Sequence, residues 1–190
     1  MIIIGITGTL GAGKGTVVEY IKEKYGFKHF AVSDTFLVGE LRKRGVEPDR
    51  LARRTLANEL RAQGPTKLME AVYEMAKPSI EKGGHIIIEP QHTIAEVEFI
   101  KSIGGVMFAV DADFRLRYER IIKRGSEKDN ITLEQFIEQQ QFELKQTDPN
   151  KNNLMASMSR ANYIFMNNGS VEELHTEIDK VMGELLKNEN

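Results

Sequence analysis

Residues 5 to 16 read Gly-Ile-Thr-Gly-Thr-Leu-Gly-Ala-Gly-Lys-Gly-Thr and follow directly on the apolar run Met1-Ile2-Ile3-Ile4. A stretch with so little side chain and one fixed cation suits a ligand that presents many negative oxygens at once. A phosphate chain is such a ligand. Backbone N–H groups can surround it only where the chain curls tightly, and glycine permits the curl. A helix beginning at Lys14 adds the positive end of its dipole and its unsatisfied amides. Lys14 itself can reach the outer phosphates as a point charge. On this reading Gly8, Thr9, Leu10, Gly11, Ala12, Gly13, Lys14, Gly15 and Thr16 form a nucleoside triphosphate loop. A dinucleotide loop fails on spacing, because Thr16 stands where the last glycine of G-x-G-x-x-G belongs and Lys14 has no role there.

Such a loop needs a buried strand before it and a helix after it. The pattern predicts a strand over Ile2 to Thr7 and a helix over Lys14 to Lys24. Further strands are expected at Lys28 to Val32, His85 to Glu89, Gly105 to Val110 and Tyr163 to Met166. Short β-branched runs alternating with longer helical patterns imply an α/β fold, a parallel five-stranded sheet with helices on both faces, in one domain over residues 1–190. Helix starts are marked by capping boxes at Thr93 with Glu96, Thr132 with Gln135 and Ser170 with Glu173. Two segments exceed a plain βα repeat: a helical insert over 34–82, and the polar stretch Gly125 to Asn130 with the glutamine-rich helix after it.

Composition narrows the classes. The formal net charge of −2 over 190 residues gives no general attraction to nucleic acid or to an anionic membrane. With no cysteine, disulfides, thiolate nucleophiles and cysteine-ligated zinc are excluded. The histidines at 29, 85, 92 and 175 are too scattered to suggest a metal cluster. No apolar stretch has the length of a membrane helix, and the start of the chain lacks the basic region of a signal peptide. The expectation is a soluble cytoplasmic protein without nucleic-acid or membrane partners; the sequence does not indicate an oligomeric state.

The hydroxyl of the loop falls one place later than in the strict pattern, at Thr16 after Gly15. This "GxxGxGKGT" form resembles the loop of adenylate kinases and other nucleoside monophosphate kinases. The resemblance implies a three-layer P-loop NTPase fold, ATP and Mg²⁺ as cofactors, and a small nucleotide-like acceptor. It implies Mg²⁺ held largely through water, with Thr16 touching phosphate and Glu89 beside the metal's water. In "RYERIIKRG", Arg120 and Arg124 match the R-x-x-x-R that opens the mobile lid of this superfamily, here over 120–147, whose arginines neutralise the transferring phosphoryl group. The alternative is a solvated basic helix face paired with Glu119 and Glu127. The segment "MSRANYIFMNNGSVEEL" resembles dephospho-CoA kinases and archaeal adenylate-kinase-related P-loop proteins, with Asn162 in place of the usual aspartate. That implies a turn over Asn167 to Ser170, with Asn168 and Gly169, lying near the adenine.

Acceptor sites in open α/β sheets lie at the carboxyl ends of the strands. The acids expected there are Asp34, Glu89, Asp111 and Asp113, together with Ser33. Asp34 could orient or deprotonate an acceptor hydroxyl or hold Mg²⁺ through water; equally it could N-cap the next helix. Glu89 ends an apolar strand where a Walker-B-type acid belongs, whereas Asp111 and Asp113 suit helix caps. After the third strand the related kinases carry "DG--R", but this chain has "EPQH", with His92 near the arginine's place. Arg42, Lys43, Arg44 and Arg53 lie near enough in sequence to substitute. The acceptor classes are a nucleoside or deoxynucleoside monophosphate first and dephospho-CoA second. A nucleotide-binding regulator or NTPase without an acceptor is the third reading.

Overall fold

Strands buried on both faces read as near-continuous apolar runs and pair in parallel beneath covering helices. In the computed structural model, which describes residues 1–125, 132–145 and 153–188, β1 (Ile3–Gly8), β3 (Ile86–Glu89) and β4 (Val106–Asp111) are such strands, and β2 (Lys28–Ala31) and β5 (Tyr163–Met166) are the less buried edges. Their order is β2-β3-β1-β4-β5, every neighbour parallel, with β1 at the centre. The helices are α1 (Lys14–Tyr25), α2 (Val38–Lys43), α3 (Arg50–Gln63), α4 (Lys67–Ile80), α5 (Ile94–Ser102), α6 (Phe114–Arg124), α7 (Leu133–Lys145), α8 (Leu154–Met158) and α9 (Val171–Lys187). Segments 126–131 and 146–152, onto which most of the polar lid stretch falls, lie outside the described residues.

Alternation along the strands sorts the core into two layers. Ile4 and Ile6 of β1, Ile87 of β3 and Phe108 and Val110 of β4 pack with Val17 and Ile21 of α1 and Leu174, Ile178 and Met182 of α9. Ile3, Ile86, Ile88 and Met107 point the other way, onto Leu56 and Ala57 of α3, Leu68, Met69 and Val72 of α4 and Val97 and Ile100 of α5. The expected insert therefore belongs to this second layer. On that same face β5 leaves Ile164 and Met166 exposed at the sheet edge. The capping boxes at Thr93–Glu96 and Ser170–Glu173 are both closed, and Thr132 and Gln135 exchange the same pair of bonds. Among the described residues no helix is long and apolar enough to cross a membrane.

The second strand ends one residue earlier than expected, at Ala31, and the chain enters a π-helical turn over Val32–Leu37. Asp34 lies inside that turn and caps no helix, which corrects the N-cap alternative. Wide π turns are rare and tend to mark functional positions, because they redirect side chains that an α turn would stack.

Candidate functional site

The glycine loop hangs between β1 and α1 and is fastened from three directions. Thr9 Oγ1 donates to Asp111 Oδ1 at the end of β4 (2.6 Å), and the same oxygen accepts from the Ala112 amide (2.9 Å). Asn167, buried at the end of β5, donates from Nδ2 to the Ala12 carbonyl (2.8 Å). Lys14 Nζ donates to the carbonyls of Gly8 (2.7 Å) and Thr9 (2.9 Å), which sets the ammonium over the mouth of the loop. The glycines serve close approach. Gly8 has φ 147° and Gly13 φ 101°; a Cβ would strike the Val110 carbonyl at the first and the Asn167 amide at the second. No side chain caps α1 and no acid stands in its first turn, so its N-terminal amides face outward beside exposed Gly15 and Thr16. This donor set fits a polyphosphate.

The acids and bases of the acceptor side gather at the carboxyl ends of β2 and β3. Arg53 of α3 donates from one guanidinium nitrogen to Ser33 Oγ (3.2 Å) and to Asp34 Oδ1 (2.9 Å). Eight residues on, and so about 12 Å further along the same helix, Arg61 grips Glu96 at the start of α5 with Nε (2.9 Å) and a terminal nitrogen (2.8 Å). The Glu96 side chain is 0% exposed, and its other oxygen accepts from the amides of His92 (2.8 Å) and Thr93 (3.2 Å). One carboxylate thus caps a helix, holds the "EPQH" turn and clasps the insert. Of the cations expected to substitute on the acceptor side, Arg53 reaches a strand end. Lys43 and Arg44 instead pair with Glu40 and Glu59 within α2 and α3.

Burial pushes the His92 imidazole down to about 4; nearby Glu96 and Glu89 favour its proton, while Lys14 and Arg61 oppose it. His92 is therefore neutral at pH 7, a hydrogen-bonding group where the related kinases have a cation. Glu89 Oε1 lies 3.0 Å from His29 Nε2, and its Oε2 makes no hydrogen bond among the described residues. An exposed hydroxyl at Thr16 and an open carboxylate oxygen at Glu89 are the oxygen donors that a water-bound Mg²⁺ takes, so these residues fit the ion. Neighbouring Gln91 is fully buried, and its Oε1 has no partner among the described residues.

On α6, Arg117, Arg120 and Arg124 separate. Arg117 is buried: its Nε donates to the Ala112 carbonyl (2.9 Å), a terminal nitrogen donates to Gln140 of α7 (2.9 Å), and the Phe114 and Phe136 rings flank it. It is a strut between β4, α6 and α7. Arg120 keeps a terminal nitrogen buried with no partner among the described residues, and Arg124 is exposed in the last turn. Glu127, offered as a partner for a solvated basic face, lies outside the described residues. Asp113 caps α6 through the Arg115 amide (2.9 Å), and its own amide donates to Asn168 Oδ1 (2.7 Å). Gly169 stands where a Cβ would collide with the capping carboxylate of Glu173. Beside that turn a cleft of about 320 Å³ opens between Met166 and the α9 residues Glu173, Thr176, Glu177 and Lys180.

Sequence reasoning missed the pairs His29–Glu89 and Arg61–Glu96. Glu96 had a local signal in its capping box and Glu89 in closing an apolar strand, whereas His29 and Arg61 had none.

A family profile described as an AAA domain matches residues 4–148. The chain is 32% identical to a UPF0200 protein of Pyrobaculum aerophilum, over 96% of this chain and 98% of the relative. It is 31% identical to one of Sulfurisphaera tokodaii, over 97% of each. Among solved structures, shikimate kinase from Acinetobacter baumannii in complex with shikimate superposes with TM-score 0.60 at 18% identity, over 99% of this chain and 94% of that one. Shikimate kinase from Aquifex aeolicus gives 0.55 at 17%, over 97% and 99%. Those two likenesses are of fold, and the fold is that of P-loop kinases. Full-length relatives above 30% identity, with the profile over residues 4–148, make the chain a member of the UPF0200 family, an AAA-domain protein with the fold of P-loop kinases.

Proposed function

We propose that the protein is an ATP-dependent phosphotransferase that moves the γ-phosphoryl group to a small nucleotide-like acceptor. A nucleoside or deoxynucleoside monophosphate is the first acceptor class and dephospho-CoA the second. The observation that carries this reading is that the Lys14 loop, Asp34 and Glu89 all follow or close strands at the carboxyl ends of β1, β2 and β3, beside an insert helix clasped there by Arg53 and Arg61.

The loop amides and Lys14 bind the β- and γ-phosphates. Thr16 and Glu89 would hold Mg²⁺ through water, and the bound ion would neutralise phosphate charge. For an acceptor that reacts through a hydroxyl, such as dephospho-CoA, Asp34 accepts the hydroxyl proton as its oxygen bonds to the γ-phosphorus and ADP leaves. A nucleoside monophosphate attacks through an ionised phosphate oxygen, which Arg53 turns from Asp34 to orient. Arg120 and Arg124 stabilise the transferring group and exclude water, and the adenine lies against Asn168 and Gly169.

A second reading has one observation behind it. Arg53 and Arg61 are both held by carboxylates and His92 is neutral, which suits a nucleotide-binding regulator or hydrolase that takes no acceptor. ADP release from MgATP separates the two when measured against all ribo- and deoxynucleoside monophosphates, dephospho-CoA, shikimate and no acceptor. Strong stimulation by a nucleotide names the substrate. Stimulation by shikimate alone moves the acceptor outside nucleotides, and a flat panel with tight ATP binding favours the regulator.

A further inference from the structure

The register of β2 on β3 pairs His29 with Ile87 and Ala31 with Glu89. His29 and Glu89 are thus diagonal neighbours on one face of the sheet, close enough for side chains of this length to meet. They do meet, at 3.0 Å, with 20% and 19% of their side chains exposed. An ionised carboxylate only accepts, so Nε2 of the ring carries the hydrogen. The contact engages Oε1 and leaves Oε2 open. Glutamate has three rotatable side-chain bonds and loses much rotamer freedom on being ordered. Here it closes an otherwise apolar strand, Ile-Ile-Ile-Glu, where no backbone donor holds its carboxylate among the described residues.

We infer that His29 is a positioning residue: its ring fixes the Glu89 carboxylate so that Oε2 is presented to the water shell of the nucleotide-bound metal. The inference rests on the reading of Glu89 as the acid beside that metal. Hydrogen-bonded partners of metal-site groups commonly alter metal affinity by roughly tenfold or more when removed. A pair serving only the β2–β3 edge would change thermal stability and leave the metal untouched.

The test uses the full chain saturated with a non-hydrolysable ATP analogue and Mn²⁺ as a paramagnetic probe. Electron paramagnetic resonance reads Mn²⁺ affinity, and calorimetry in EDTA reads metal-free nucleotide affinity. The expected result is roughly tenfold weaker Mn²⁺ binding for both Glu89→Gln and His29→Phe, with metal-free nucleotide binding unchanged. His29→Gln, which keeps a donor, should recover most of the loss, and His29→Phe added to Glu89→Gln should cost nothing more. His29→Ala gives the same comparison if the phenyl ring upsets the strand edge. Wild-type Mn²⁺ affinity in the His29 variants, with Glu89→Gln weakened, overturns the inference and leaves a structural pair. Wild-type affinity in Glu89→Gln overturns the reading of Glu89 and the inference with it.

Discussion

Lys14 carries its charge on a long flexible stem whose ammonium bridges two carbonyls of its own loop. The same donors are the ones a phosphate oxygen would take, and each charge-assisted bond contributes about 1.5–3 kcal/mol. Lys14→Ala should therefore weaken ATP binding by roughly tenfold to a hundredfold and abolish transfer, with the melting temperature of the free protein little changed. Calorimetry and a thermal melt together check this; near-normal transfer by the variant would reject the loop assignment. His92 makes a separate, pH-borne prediction. Its proton is disfavoured in the folded state, at about 4 against an ordinary value of 6.5. Between those values the unfolded chain binds more protons than the folded one, so this contribution is fully present above pH 6.5 and is lost as pH falls towards 4. His92→Gln should lose less stability than the wild type across that window in urea melts at successive pH values. Parallel curves would show that the imidazole titrates normally.

At the scale of elements, α3 is held to the sheet edge by Arg53 at one end and Arg61 at the other. The two clasps differ in depth: Asp34 is largely exposed, whereas Glu96 is fully buried and also holds the start of α5. Removing one partner of a buried pair strands the other charge. Arg61→Ala should destabilise the protein by about 3 kcal/mol, while Arg53→Ala should cost under about 1 kcal/mol. Chemical denaturation of both variants checks the difference, and equal losses would show that burial of Glu96 does not set the cost. The elements themselves were legible because their signals are local: apolar runs for β1, β3 and β4, and capping boxes for α5 and α9. The clasps were not, because Arg61 and Glu96 are 35 positions apart, and His29 and Glu89 are 60. The register of β2 on β3 brings the second pair together, and the packing of α3 and α5 in one layer the first. The π-helical turn at Val32–Leu37 also escaped, since residues 34 to 37 carry an ordinary helical pattern.

For the molecule as a whole, the proposed ligands would lie between the loop, the insert and α6, and so would join parts that are distant in sequence. A ligand that binds only the native form stabilises it by mass action, by about 2.7 kcal/mol at a hundred times its Kd. In a chain of 190 residues that is a rise in Tm of roughly 5–10 °C. MgATP should produce it in wild type and not in Lys14→Ala, as scanning calorimetry would read.

The place of β1 in the sheet has a consequence for how the protein opens. Flanked by β3 and β4 and covered on both faces, its amides should be among the last to exchange with deuterium. The phosphate loop therefore hangs from an element expected to exchange slowly, while α3, fastened at the rim, should exchange sooner. An acceptor could then enter through local opening around α3 while β1 and the loop keep their shape.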